Sequence, residues 1–227
     1  MKIRVDQRLA LQAQRADALA ERVAAFLAPL AGTERALDSG CGAGAFAFAL
    51  APLVREVVGV DRSAELIAAG RELAPANVTL VQGDAEALPY DYGEFDLTGC
   101  LRVLHHAQRP ELIVSELARV TRPGGRVLVV DQLGPVDPLV SLNIDRFERV
   151  RDPSHTRLLP DTDIRSLLDA NDLVVTATEV VHERRELAYY LDLVDLTPDD
   201  RRRAEALAPG PVYEVEIGWY LARKPGR

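Results

Sequence analysis

The chain is 227 residues long and 48% apolar, with 35 acidic against 27 basic side chains and a formal net charge of −8; this length suits a single domain, and the acidic excess offers no general attraction to nucleic acid or an anionic membrane. Two cysteines and four scattered histidines make neither a disulfide framework nor a metal-ligand cluster, so no metal is expected. Charges run through MKIRVDQRLALQAQRADALAERV and no window reaches membrane-spanning length, so a soluble cytoplasmic protein is the expectation, with neither membrane nor nucleic acid as partner.

From Leu9 to Leu30 apolar residues recur at intervals of three, four and seven, which predicts an amphipathic helix ended by Pro29. Ala36 to Asp38 reads as a short strand, the glycine turn after it as the entry to a helix over Ala43 to Leu53, and Val54 to Asp61 as a second, β-branched strand. Ser63 is placed to cap a helix running to about Leu73, and VTLVQGD makes a third strand ending at Asp84. EFDLTGCLR carries the fourth strand, and Pro110 opens a helix with Ile113, Leu117 and Val120 on one face. PGG breaks that helix before GRVLVVD forms strand five. A βα unit about every 25 residues argues for a mostly parallel sheet covered on both faces.

After Asp131 the rhythm changes. Gly134 to Pro160 is too long for a simple connection and holds a helical piece near Leu139 to Val150. DTDIRSLLDANDL reads as a helix that Asp161 or Asp163 could cap, and LVVTATEVV as strand six. The stretch ERRELAYYLDLVDLTPDDRRRAEALAPG reads as two short helices, the second started by Thr197 and Pro198. VYEVEIGWYLARK alternates cleanly and predicts an antiparallel last strand. The expected architecture is a Rossmann-like, seven-stranded, mostly parallel α/β sheet with helices on both faces and the last strand antiparallel. One domain spans 1–227, with a small helical cap built from 1–30, 134–160 and 182–211.

Gly40, Gly42 and Gly44 stand at the carboxyl end of the first strand, where open α/β sheets bind ligands, and Asp61 ends the second strand, placed to accept a ribose diol. The turn reads in two frames. GAGAFA from Gly42 meets a dinucleotide pattern and would suit an NAD-binding oxidoreductase, whereas DSGCGAG from Asp38 suits a nucleoside without pyrophosphate. A general base, if needed, falls to a histidine: His155 in the first insertion, then His106 and His105 after strand four. Cys41 and Cys100 read as packing residues near the ligand. Leu139, Leu142, Phe147, Tyr189, Tyr190 and Leu193 in the insertions favour an apolar or aromatic acceptor.

DSGCGAG, VVGVD, GDAEALPY, EFDLTGCLRVLHH and LARVTRPGGRVLVVD match, in kind, order and spacing, segments of a known family. The chain resembles the class I S-adenosylmethionine-dependent methyltransferases, within them the small-molecule group that includes the ubiquinone/menaquinone C-methyltransferases, over roughly Ala36 to Val130. RDPSHTRLLP also looks like a stretch found in a branch of that group. The resemblance implies S-adenosyl-L-methionine as cofactor, O- or C-methylation of a small-molecule methyl acceptor, and a monomer or homodimer. It implies cofactor contacts for Asp38, Gly40, Cys41, Gly42 and Gly44, for Asp61 on the ribose with Arg62 beside the adenine, for Asp84 on the adenine amino group with Ala85, and for Leu101 and Arg102. Ser39 departs from the apolar residue usual there. Because a fold does not fix a function, a cofactor-binding protein with a non-methylating or interaction role stands as the alternative.

Overall fold

The computed structural model describes residues 5–226. Residues 1–4 of the segment 1–30 expected in the cap lie outside the described residues. Seven strands form one sheet in the order β3-β2-β1-β4-β5-β7-β6. They are β1 (Arg35–Ser39), β2 (Glu56–Asp61), β3 (Val78–Gln82), β4 (Phe95–Leu101), β5 (Thr121–Gln132), β6 (Val174–Glu186) and β7 (Val212–Arg223). Strands β1 to β5 pair in parallel, while β7 runs antiparallel between β5 and β6. This is the expected Rossmann-like architecture.

One face of the sheet is covered by α1 (Val5–Leu27), α2 (Ala45–Leu50) and α3 (Ala64–Arg71), whose Val23, Leu27, Phe46 and Ile67 join Ala36, Val57, Leu128 and Trp219 in one core. The other face is covered by α4 (Pro110–Val120) and α6 (Asp161–Asp169), whose Val114, Leu117, Ile164 and Leu168 pack on Leu37, Val60, Val129 and Tyr220. Burial on both faces explains why the central strands are near-continuous apolar runs. Ser63 caps α3 as expected, its Oγ accepting from Leu66 N. Neither Asp161 nor Asp163 caps α6: Pro160 stands at the cap, and Asp161, already inside the first turn, accepts from Arg165 and from the Tyr220 hydroxyl at 2.7 Å.

A third, smaller core gathers Phe147 of α5 (Pro138–Arg151), Leu191 of α7 (Leu187–Asp192) and Ala204 of α8 (Pro198–Leu207), with Tyr190 and Tyr213 against them. Asp137 caps α5 through Leu139 N and Val140 N, and Thr197 caps α8 through Asp200 N. Several boundaries differ from expectation: β5 already begins at Thr121, so residues 123–125 lie inside it, and the largest change is in β6. Strand β6 does not stop at Val181 but continues through Glu186, pairing His182–Glu186 with Val212–Glu216. Strand β5 leaves off at Gln132 opposite Ile217, so the β6–β7 hairpin projects as an arm past the sheet's ligand end. The arm packs with α5, α7 and α8 through Tyr213 in this third core.

Candidate active site

The site starts with the turn after β1. Gly40, Gly42 and Gly44 all take positive φ, at 76°, 55° and 93°. A Cβ on Gly42 would find only Leu66 Cδ1, at 3.9 Å, so this backbone borders open space that a ligand can fill. The turn is tied down from two sides. Gly40 N and Cys41 N donate to the Val60 carbonyl, and Gly42 N donates to Asp61 Oδ2 at 2.8 Å. The other Asp61 oxygen accepts from Ser63 N. Each carboxylate oxygen keeps a second lone pair for a ligand hydroxyl.

Asp38 is buried to 1% exposure, and its Oδ2 accepts from Ala47 N at 2.9 Å while Oδ1 has no partner. Burial pushes its carboxyl up to about 8, with Asp61 adding to the rise against the opposing Ala47 bond. Two consequences follow for the competing frames. The N-terminal donor of α2 at Ala47 is already taken by the protein's own carboxylate, where a pyrophosphate would need it. A buried carboxyl with a free oxygen instead demands a cation or a donor. Ser39 Oγ is a second buried atom without a partner on the same strand end. Asp84, exposed after β3, accepts from Glu86 N, with Ala85 packed on the core beside it; Arg62 is exposed, and its carbonyl accepts from Gln82.

Both cysteines are free and buried. Cys41 is buried against Gly59, where a Cβ would come within 2.9 Å of its sulfur. Burial, with Asp38 and Asp61 nearby, drives its thiol far up, and burial does the same to Cys100 beside Asp131.

Leu101 and Arg102 close β4. Leu101 packs on the α1–α3 core, and Arg102 holds a left-handed backbone at φ 58°, its N donating to the Val130 carbonyl. Its guanidinium bonds Glu183 of the arm at 2.5 Å. Burial works against the Glu183 charge, but Arg102, Arg185 and Arg15 hold its carboxyl below the usual range. The loop after β4 is thereby joined to the arm.

The three expected histidines converge, with the His105 ring 4.1 Å from His106 and 5.7 Å from His155. Their surroundings differ. His155 lies after α5 with 3% side-chain exposure, its Nε2 bonded to Asp145 Oδ1 at 2.8 Å, and that carboxylate also accepts from Leu158 N. His106 Nδ1 meets Ser154 Oγ at 3.0 Å; burial, reinforced by His105, lowers its pKa to about 4. His105 is half-buried, at 14% side-chain exposure, and its Nδ1 bonds Asp131 Oδ1 at the end of β5. Thr156 zips the cap to this loop through N and Oγ1, both donating to the His105 carbonyl at 2.8 Å. Asp131, Asp145 and Glu183 were not singled out in the sequence; Asp131 carries the same signal as Asp61, an acid ending an apolar strand. His182 is exposed on the arm.

Of the insertion residues, Phe147 and Tyr190 sit in the third, smaller core, whereas Leu139, Leu142 and Tyr189 are exposed together with Val136 and Val140. Among the described residues, no group of three or more His, Cys, Asp or Glu side chains is arranged to hold a metal ion, and no helix is long and apolar enough to cross a membrane.

Residues 37–129 match the family model described as a methyltransferase domain. The chain is 37% identical over 143 residues to the uncharacterized methyltransferase YcgJ of Bacillus subtilis, covering 61% of this chain and 56% of that protein. It is 31% identical over 141 residues to the uncharacterized protein YafE of Escherichia coli, covering 60% and 68%. A demethylmenaquinone methyltransferase of Shouchella clausii is 37% identical over 116 residues, 48% of this chain and 49% of that one. The matched stretch thus spans about half to two thirds of these curated relatives. The crystal structure of the B. subtilis YcgJ protein superposes with a TM-score of 0.85 at 25% identity, covering 92% of this chain and 99% of that one.

Proposed function

We propose that the chain is a class I S-adenosylmethionine-dependent methyltransferase that methylates the oxygen or carbon of a small apolar or aromatic acceptor. One observation carries the reading: the glycine turn is lined by acids, with Asp38, Asp61 and Asp84 at or just beyond the ends of β1, β2 and β3, and Asp38 itself occupies the helix donor at Ala47. Such a site suits a cationic nucleoside and opposes a pyrophosphate. Asp61 would hold the ribose hydroxyls, Asp84 and Arg62 would border the base, and the free Asp38 oxygen would face positive charge. The bound cofactor supplies an electrophilic methyl on sulfur; the chain's own work is to align the acceptor and exclude water.

The acceptor reading rests on the cap. The family match ends at residue 129, so residues 134–160 and 182–211 are free to set specificity, and with segment 1–30 they are the cap of a single domain in this proposal. The exposed Val136, Leu139 and Val140 favour an apolar acceptor, as does the demethylmenaquinone methyltransferase among the relatives. Calorimetry tests the cofactor: S-adenosylmethionine and its demethylated product should bind at micromolar order, about −8 kcal/mol, with no comparable NAD binding. Asp61→Ala should cost about 1.5 to 3 kcal/mol of that affinity. Tight NAD binding with none for the sulfonium would overturn the proposal. Incubation of a metabolite extract with methyl-labelled cofactor should then yield a labelled small product, whereas label retained on the cofactor throughout would favour a non-methylating role.

A further inference from the structure

We propose that His105, oriented by Asp131, is the general base of the reaction, and that the acceptor is therefore one whose reacting atom must lose a proton: a phenolic or enolic hydroxyl, or an acidic carbon. This deepens the methyltransferase reading and rests on it.

Asp131 stands at the carboxyl end of β5, and His105 lies in the turn that follows the carboxyl end of the adjacent parallel strand β4, where ligands of such sheets bind. Asp131 is 1% exposed and receives three donors: the His105 ring, His105 N at 3.2 Å and Gln132 N at 2.7 Å, the last on the same oxygen as the ring. Burial alone would raise its carboxyl; His105 and the two backbone donors outweigh burial and hold it below the usual range. An ionised carboxylate only accepts, so a proton of this bond sits on His105 Nδ1, and in the neutral form of the ring the lone pair is on Nε2. Nε2 has no hydrogen bond among the described residues, and the side chain is 14% exposed. His155 has the opposite arrangement. Its Nε2 is spent on Asp145 within the cap, which makes it a brace for the loop behind His105. His106 is turned to Ser154 and its lowered pKa makes it a poor proton acceptor.

In the transfer, a lone pair of the acceptor oxygen or carbon forms the bond to the methyl carbon as the carbon–sulfur bond breaks, its electron pair staying on sulfur as a neutral thioether. The acceptor proton moves to His105 Nε2, and the positive charge lost from sulfur reappears on an imidazolium beside Asp131. Water then takes the proton. An acceptor without a removable proton, such as a tertiary amine or thioether, would make no use of this pair.

Nitrogen-15 spectra of histidine-labelled protein test the pair without acceptor or cofactor. The His105 signals should report Nδ1–H with an unprotonated Nε2, and Asp131→Asn should shift the proton to Nε2. A wild-type His105 protonated on Nε2, or one unchanged by Asp131→Asn, overturns the proposal. In parallel, His105→Gln should keep the affinity for the demethylated cofactor within about twofold while label transfer into the extract product falls by about 10² to 10⁴. His155→Asn should lower the melting temperature more than it lowers turnover. Undiminished transfer in His105→Gln, with abolished transfer in a folded His155→Asn, would move the base to His155. Failure of the wild-type protein to bind the demethylated cofactor sinks the methyltransferase reading itself, a result separate from the spectra.

Discussion

At the scale of single residues, the site's most testable feature is the proton on Asp38. Its carboxyl is raised to about 8 by burial and then by Asp61, so near pH 6.5 the ligand-free protein holds it neutral. A cation brought to the unpartnered Oδ1 favours the ionised form and expels the proton. Calorimetric titration with S-adenosylmethionine at pH 6.5, repeated in buffers of different ionisation enthalpy, should show release of about one proton per binding event. Asp38→Asn, isosteric with the neutral acid, should bind more weakly and release none. A buffer-independent enthalpy in the unaltered protein would refute this role. Part of this half of the site is legible in the sequence because those contacts are local to a strand end: Asp38 reaches Ala47 nine positions on and Asp61 accepts from Ser63 N in its own turn, whereas the bond from Gly42 N to Asp61 spans 19 positions. His105 and Asp131 are 26 positions apart and meet only because β4 and β5 are neighbours. No spacing rule announces that pair, although two acids ending apolar strands were there to be noticed.

At the scale of elements, helices and strands with an apolar period were readable, and of the arm only its β7 strand was. HERRE carries no apolar alternation and reads as loop or helix start; it is held extended by its partner β7, a contact invisible to a local reading. The arm is fastened to the cap by a buried polar cluster. Glu148 of α5, 4% exposed, accepts from the Tyr190 hydroxyl at 2.9 Å and from Arg151 Nε at 3.1 Å, and Arg185 of β6 lies 3.6 Å away. The two guanidiniums stack on the Tyr190 ring, at 4.0 and 4.5 Å from its centre. One carboxylate thus compensates two cations from different elements, and burial followed by Glu148 raises the Tyr213 phenol to about 12. Removing the carboxylate strands both cations, a loss of about 3 to 5 kcal/mol for a buried pair. Glu148→Ala should accordingly speed amide exchange in α5, α7 and α8 while the central strands keep their protection; uniform loss of protection, or no change in the cap, would show that the cluster does not fasten these elements.

For the whole molecule, the ligand end of the sheet carries two buried groups whose titrations oppose each other, and their sum shapes stability against pH. His106, its pKa lowered from 6.5 to about 4 by burial and then by His105, stays neutral in the folded chain while the unfolded chain takes up a proton below 6.5. Its contribution is complete above 6.5 and lost as the pH falls towards 4, by up to roughly 3 kcal/mol. Asp38 works the other way. Raised from 3.8 to about 8, it keeps its proton in the folded chain, so its contribution is complete below 3.8 and lost as the pH rises through 8. Between 6.5 and 8 only Asp38 acts, and the ligand-free protein should gain stability on acidification; between 4 and 6.5 the two cancel and the profile should be flat. The acids held low by partners, such as Asp131 and Asp152, act below this window. Urea unfolding across pH 4.5 to 8 resolves the terms through variants. Asp38→Asn should turn the flat stretch into a decline of about 2 to 3 kcal/mol on going from pH 6.5 to 4.5, and His106→Gln should extend the gain down towards pH 4. Profiles of identical shape in all three proteins would mean that neither group is titrating as its burial demands, and would remove the physical basis for reading Asp38 as the seat of the cofactor's charge.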